Sequence, residues 1–206
     1  MIGKKKLIII LTNQRSGSTR LILDLYHGLP KGTRVYEELF LAKPAQASKS
    51  QYPDFEGVLP SVRYFESKMA LHEYLDFIMG GSDVLLFKVM LDQFWIIESK
   101  LDKLQSIFDV CFIYLRRGMM KCALSSAAAK FSGAPHNFSS GRLVESKRPV
   151  GYFWYVLVPH YFFKNLFFRL RYFRLIRSCF LIDFRFHNLN VIFLHSLLNR
   201  YSSGAK

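Results

Sequence analysis

The chain has 206 residues, half of them apolar, and carries a formal net charge of +14. That length suits one α/β domain with a real core, and that apolar content excludes an intrinsically disordered chain. The three cysteines (Cys111, Cys122 and Cys179) form no C-x-x-C pair and no metal-ligand spacing, and the six histidines are dispersed. Neither a disulfide framework nor a zinc site is expected, and scattered thiols point to a reducing, cytoplasmic setting.

In chain order, Lys4-Lys5-Lys6 read as solvated charges that lead into Leu7-Ile8-Ile9-Ile10-Leu11. Five apolar residues are too few for a signal-peptide core or a membrane span. They read as a strand buried on both faces, as in a parallel sheet. A polar loop follows, Thr12-Asn13-Gln14-Arg15-Ser16-Gly17-Ser18-Thr19-Arg20. A helical pattern then begins at Leu21, Ile22, Leu25 and Tyr26, and Gly28 and Pro30 stop it. Strand, small-residue loop and helix together aim backbone N–H groups and a helix N-terminus at an anion. Arg15 adds a fork of charged donors suited to phosphate or sulfate oxygens.

Further on, Val35-Tyr36-Glu37-Glu38-Leu39-Phe40 carries an acidic pair, and Lys43 to Pro60, with three prolines, reads as a loop over one end of the sheet. Val62 to Met79 is rich in helix formers and ends at Gly80-Gly81. Val84 to Met90 is a second buried strand, Glu98 to Phe108 an amphipathic helix, Val110 to Leu115 a third buried strand, and Met119 to Phe131 a helix. Alternating strands and helices define the expected fold class: α/β, a parallel sheet flanked by helices.

The composition changes near residue 146, which divides the chain into 1–145 and a basic, aromatic-rich segment, 146–206. That segment has ten basic residues against one acid, Asp183, and supplies +9 of the net charge. Two readings stand side by side: a segment that binds a membrane surface or nucleic acid, or an out-of-frame or loosely folded tail. It is not a membrane span, because Pro159, His160, Lys164, Asn165 and spaced arginines interrupt it. Leu181-Ile182-Asp183-Phe184 reads as a degenerate strand.

The first loop is not the ATPase loop G-x-x-x-x-G-K-[ST], because Thr12 stands at the first Gly and Ser18 at the Lys. Its Q-R-S-G-S-T core resembles the loop of sulfotransferases that use 3′-phosphoadenosine 5′-phosphosulfate (PAPS). A second stretch, Leu115-Arg116-Arg117-Gly118-Met119-Met120-Lys121-Cys122-Ala123-Leu124-Ser125, is similar to L-R-R-x-x-x-x-x-A-x-S of bacterial carbohydrate sulfotransferases of the nodulation and trehalose type. Met119 and Met120 occupy the region where many members have Asp. The resemblance covers residues 6 to 131 and implies a nucleotide-kinase-like, P-loop-related sulfotransferase fold, incomplete at the C-terminus if the tail is out of frame.

The resemblance also implies roles. Gln14, Arg15, Ser16, Gly17, Ser18 and Thr19 would hold the 5′-phosphosulfate of PAPS, and Arg117 with Ser125 its 3′-phosphate. A guanidinium fork and a hydroxyl donor suit a dianionic phosphate. Glu38 would be the general base that takes the proton of a carbohydrate hydroxyl, with Glu37 as the alternative. Lys88, in Phe87-Lys88-Val89-Met90, would meet charge developing on the transferred group, unless it merely snorkels at a sheet edge. No metal is required, because fixed donors and cations can stabilise an in-line transfer. The expected partner is a small-molecule or carbohydrate acceptor, with no specific nucleic acid and no transmembrane segment. Two rivals are a P-loop kinase or nucleotide hydrolase, and a non-catalytic basic protein that binds nucleic acid or anionic membrane.

Overall fold

The computed structural model describes residues 4–14, 18–26, 28–36, 39–40, 70–132 and 151–183. Five strands among them form a single parallel sheet: β1 (Lys6–Thr12), β2 (Arg34–Tyr36), β3 (Val84–Met90), β4 (Asp109–Arg116) and β5 (Phe180–Asp183). Their order across the sheet is β2-β3-β1-β4-β5. The helices are α1 (Ser18–Tyr26), α2 (Leu71–Met79), α3 (Trp95–Glu98), α4 (Leu101–Ile107), α5 (Met119–Ser132), α6 (Gly151–Arg171) and α7 (Phe173–Ser178).

The apolar run of β1 is explained by its place in the middle. It pairs with β3 on one side, Ile10 opposite Lys88, and with β4 on the other, Ile10 opposite Ile113. With both faces covered, period-2 alternation sends apolar residues both ways. Leu7, Ile9 and Leu11 join Leu85, Phe87 and Val89 in a core with Tyr74 and Leu75 of α2, Ile97 of α3 and Leu104 of α4. Ile8 and Ile10 join Leu86, Ile113 and Leu115 in a second core with Leu21, Ile22 and Leu25 of α1.

Thus α1 lies on one face and α2, α3 and α4 on the other. The handedness of parallel crossovers accounts for this. The chain crosses the sheet one way from β1 to β2 and the opposite way from β3 to β4, so right-handed connections put their helices on opposite faces. β1 is therefore the strand at which the winding reverses, and in open α/β sheets ligands bind outside the carboxyl ends of the strands at that point.

Sequence pattern and structure differ in places. The first helix begins at Ser18, three residues before its apolar pattern, because the N-terminal turn is built from the loop's small polar residues. The helix expected over Glu98 to Phe108 starts at Leu101 as α4, whereas Glu98 ends the separate short helix α3, and between them Lys100 leaves helical geometry (φ −121°, ψ 6°). The break lets Ile96 and Ile97 before it, and Leu104 after it, all reach the sheet. Of the helix expected from Val62, the structure describes Leu71–Met79. Glu73 Oε2 accepts from the Ala70 N–H at 2.9 Å at its start, and Gly80 ends it in the left-handed region at φ 55°. The loop expected from Lys43 to Pro60 lies outside the described residues.

In the C-terminal segment, residues 151–183 are described and 146–150 and 184–206 are not. The degenerate strand at Leu181 is β5, one residue earlier than its pattern, paired from Ile113–Phe180 to Arg116–Asp183. Tyr172, between α6 and α7, is 4% exposed. Its ring meets Phe94 edge-on at 5.1 Å and stacks on Phe168 at 6.5 Å, and its hydroxyl donates to Glu98 Oε2 at 3.3 Å. Among the described residues no helix is long and apolar enough to cross a membrane.

Candidate functional site

All the sequence-derived candidates belong to segments that leave, or lie near, the carboxyl ends of β1, β2, β3 and β4. Parallel pairing puts those ends on one edge of the sheet. Arg15, Ser16, Gly17, Glu37 and Glu38 lie outside the described residues, though the elements that flank them are in place. β1 ends at Thr12 and α1 starts at Ser18, so five residues make the turn. β2 ends at Tyr36, immediately before the acidic pair.

The described part of the first loop is buried and polar. Thr12, Asn13 and Ser18 are 0%, 4% and 5% exposed. Buried polar groups need partners, and the Thr12 hydroxyl donates to the Asn13 carbonyl at 3.2 Å. Gln14 is half-buried. Ser18 opens α1 and Thr19 follows in its first turn, so the N–H groups that have no partner within a helix, and the positive end of the helix dipole, belong to this end of α1.

Lys88 does not snorkel at an edge. β3 is an interior strand between β2 and β1, and Lys88 is 2% exposed. Its register with Ile10 and Ile113 puts it on the α1 face of the sheet, two residues before the strand end. That position lies in the buried interior of the sheet, near the carboxyl end of β3.

Arg117 is half-buried directly after β4, and Ser125 is half-buried in α5. Burial raises the pKa of the Cys122 thiol between them, and the positive charges of Arg117 and Arg169 oppose the rise. Burial likewise pushes Cys111 up to about 11 and Cys179 up to about 12, so none of the three thiols is a thiolate near neutral pH.

The residue that the motifs did not reveal is Arg169 of α6. Its Nη2 donates to the Arg117 carbonyl at 2.5 Å. With the Asn13 amide oriented to present its oxygen, Arg169 also donates to it from Nε at 2.9 Å and from Nη2 at 3.3 Å. The guanidinium carbon lies 6.0 Å from the Tyr114 ring centroid. The Tyr114 hydroxyl is buried with no well-formed hydrogen bond. Burial raises its pKa, and the nearby Arg169 charge is the main opposing influence. One side chain thus touches the segment after β1 and the segment after β4. A second α6 cation, Lys164, pairs at 2.7 Å with Asp92 in the 3-10 turn after β3. A signal for Arg169 exists in the sequence: Asn165 and Arg169, spaced i and i+4, put two polar residues on one side of an aromatic-rich helix.

The described residues gather a helix N-terminus, hydroxyl groups and cations near the point where the winding of the sheet reverses, groups of a kind that suit an anion. Among the described residues no group of His, Cys, Asp and Glu is placed to hold a metal ion. No family model matches the chain, and no curated protein matches it.

Proposed function

We propose that this chain is a PAPS-dependent sulfotransferase with the nucleotide-kinase-like fold that the resemblance implies, acting on a hydroxyl of carbohydrate type. The observation that carries the reading is the adjacency of β1 and β4. Two motifs about one hundred residues apart in the sequence, Q-R-S-G-S-T and L-R-R…S, lead off neighbouring strand ends. A nucleotide with anionic groups at both its 3′ and 5′ positions fits such a pair of loops, and the donors present suit it: the start of α1, Ser18, Arg117 and Ser125.

In this reading the first loop, residues 14 to 19, holds the 5′-phosphosulfate, and Arg117 with Ser125 the 3′-phosphate. The cofactor supplies the sulfuryl group. Glu38 takes the proton of the acceptor hydroxyl as that oxygen bonds to sulfur, and the bridging S–O bond to the 5′-phosphate breaks. Lys88 and the α1 N-terminus balance charge that accumulates on the departing oxygens. The products are a sulfate ester, adenosine 3′,5′-bisphosphate and a proton.

A kinase or nucleotide hydrolase is the weaker reading. The loop lacks the phosphate-binding Lys, and Asp92, the acid closest in sequence to the end of β3, is ion-paired with Lys164. Calorimetric titration with adenosine 3′,5′-bisphosphate is the test. Saturable binding in chelator, tighter than that of adenosine 5′-monophosphate, is expected. Equal affinity for the two nucleotides, or no binding, overturns the proposal.

A further inference from the structure

We infer that Arg169 is a positioning residue that ties the segment after β1 to the segment after β4 and so fixes the spacing of the two anion-binding loops. Its consequence for ligand choice rests on the function proposed above; its role in holding the loops does not.

The geometry is that of a clamp. With the Asn13 amide oriented to present its oxygen, a single guanidinium donates to the Asn13 side chain and to the Arg117 main chain. Arg has five donors in a rigid plane, so it can bridge two acceptors and hold both in place. The acceptors differ in kind. One is the side chain of a residue 4% exposed, and the other is the carbonyl of the residue assigned to the 3′-phosphate. Moving either loop breaks a charge-assisted hydrogen bond.

The polarity of α6 points the same way. A surface helix held by burial turns its apolar stripe inward. α6 departs from this pattern: Phe168 packs against the core, but apolar residues face solvent as well. Val156, Phe163, Phe167 and Leu170 are 52%, 64%, 57% and 66% exposed and share one face. Asn165, Arg169 and Lys164 meet the protein instead, with Asn165 8% exposed and Lys164 on Asp92. Turning polar groups inward sacrifices hydrophobic burial and requires partners for each of them. The partners found for Lys164 and Arg169 all follow strand ends: Asp92 after β3, Asn13 after β1 and Arg117 after β4. α6 thus braces the carboxyl edge of the sheet, and Arg169 is its contact with both anion loops.

The experiment compares the full-length chain with Arg169→Gln and Arg169→Lys, the second keeping the charge but not the fork. Hydrogen exchange is read across the chain, and adenosine 3′,5′-bisphosphate and adenosine 5′-monophosphate are titrated. Both variants should exchange faster at the amides after β1 and after β4 together. They should lose about tenfold or more in affinity for the bisphosphate, which spans both loops, and much less for the monophosphate. Acceleration confined to α6, or equal losses for both nucleotides, overturns the inference. If the unsubstituted chain binds neither nucleotide, the proposed function falls, while the exchange data still decide whether Arg169 holds the loops. Asn13→Ala, which removes one acceptor and leaves α6 unchanged, guards against an Arg169 variant that fails to fold. It should loosen the segment after β1, and unchanged exchange there also counts against the clamp.

Discussion

Helices α1 and α6 both contact the central part of the fold, α1 by apolar burial alone and α6 by Phe168 together with charged and polar contacts. α1 turns Leu21, Ile22 and Leu25 inward, each 0% exposed, against the even-numbered residues of β1. α6 turns cations toward the strand ends and leaves Phe163, Phe167 and Leu170 in solvent. Burial is non-directional and strong, roughly 1.5–3 kcal/mol for each fully buried side chain of that size, so α1 is a structural wall. Hydrogen bonds and ion pairs contribute less net stability but specify geometry, so the Lys164 and Arg169 contacts are expected to position the strand-end segments more than to hold the sheet together. Stability and function should therefore separate along this line.

The sharpest break of the comparison is Leu25→Ala. It opens a cavity beneath α1 and should cost about 2–5 kcal/mol, read as a lower denaturation midpoint at unchanged slope. A cost near zero would mean that the α1 layer is not packed as described.

At the carboxyl edge, substitutions should do the reverse. Glu38→Gln keeps shape and removes the base, so sulfuryl transfer should fall about a hundredfold, with the denaturation midpoint and cofactor affinity nearly unchanged. If Glu37→Gln shows the loss and Glu38→Gln stays active, Glu37 is the base.

Arg117→Ala should weaken adenosine 3′,5′-bisphosphate by about 1.5–3 kcal/mol, the value of a charge-assisted contact, and adenosine 5′-monophosphate far less. Equal weakening of the two would remove Arg117 from the 3′-phosphate.

The smallest effect is expected on the outer face of α6. Phe167→Ser removes an aromatic side chain 57% exposed and should change stability by no more than about 0.5 kcal/mol. A loss comparable to that of Leu25→Ala would show that the face is covered in solution and would undo the contrast between the two helices.

The pieces whose physics is local could be read from the chain. β1, β3 and β4 were legible as apolar runs, because a strand covered on both faces needs apolar residues at nearly every position. α1 was legible from its apolar spacing and from the small polar loop before it, and the α5 helix from its composition. The motifs named Gln14, Ser18, Lys88, Arg117 and Ser125 without any structure, since each belongs to a short segment with a recognisable pattern.

The features that needed the folded arrangement are long-range. Strand order depends on pairing between segments tens of residues apart, and no local pattern encodes it. The three-residue strand β2 is too short to show a period and exists because β3 offers it an edge. Lys88 reads equally well as an edge or an interior residue until β2 is seen beyond it. Arg169 was hidden for a related reason. Periodicity reveals which residues share a helix face, but not what that face meets, and α6 is apolar on its exposed side as well as where Phe168 packs on the core, so no stripe marks its inner face.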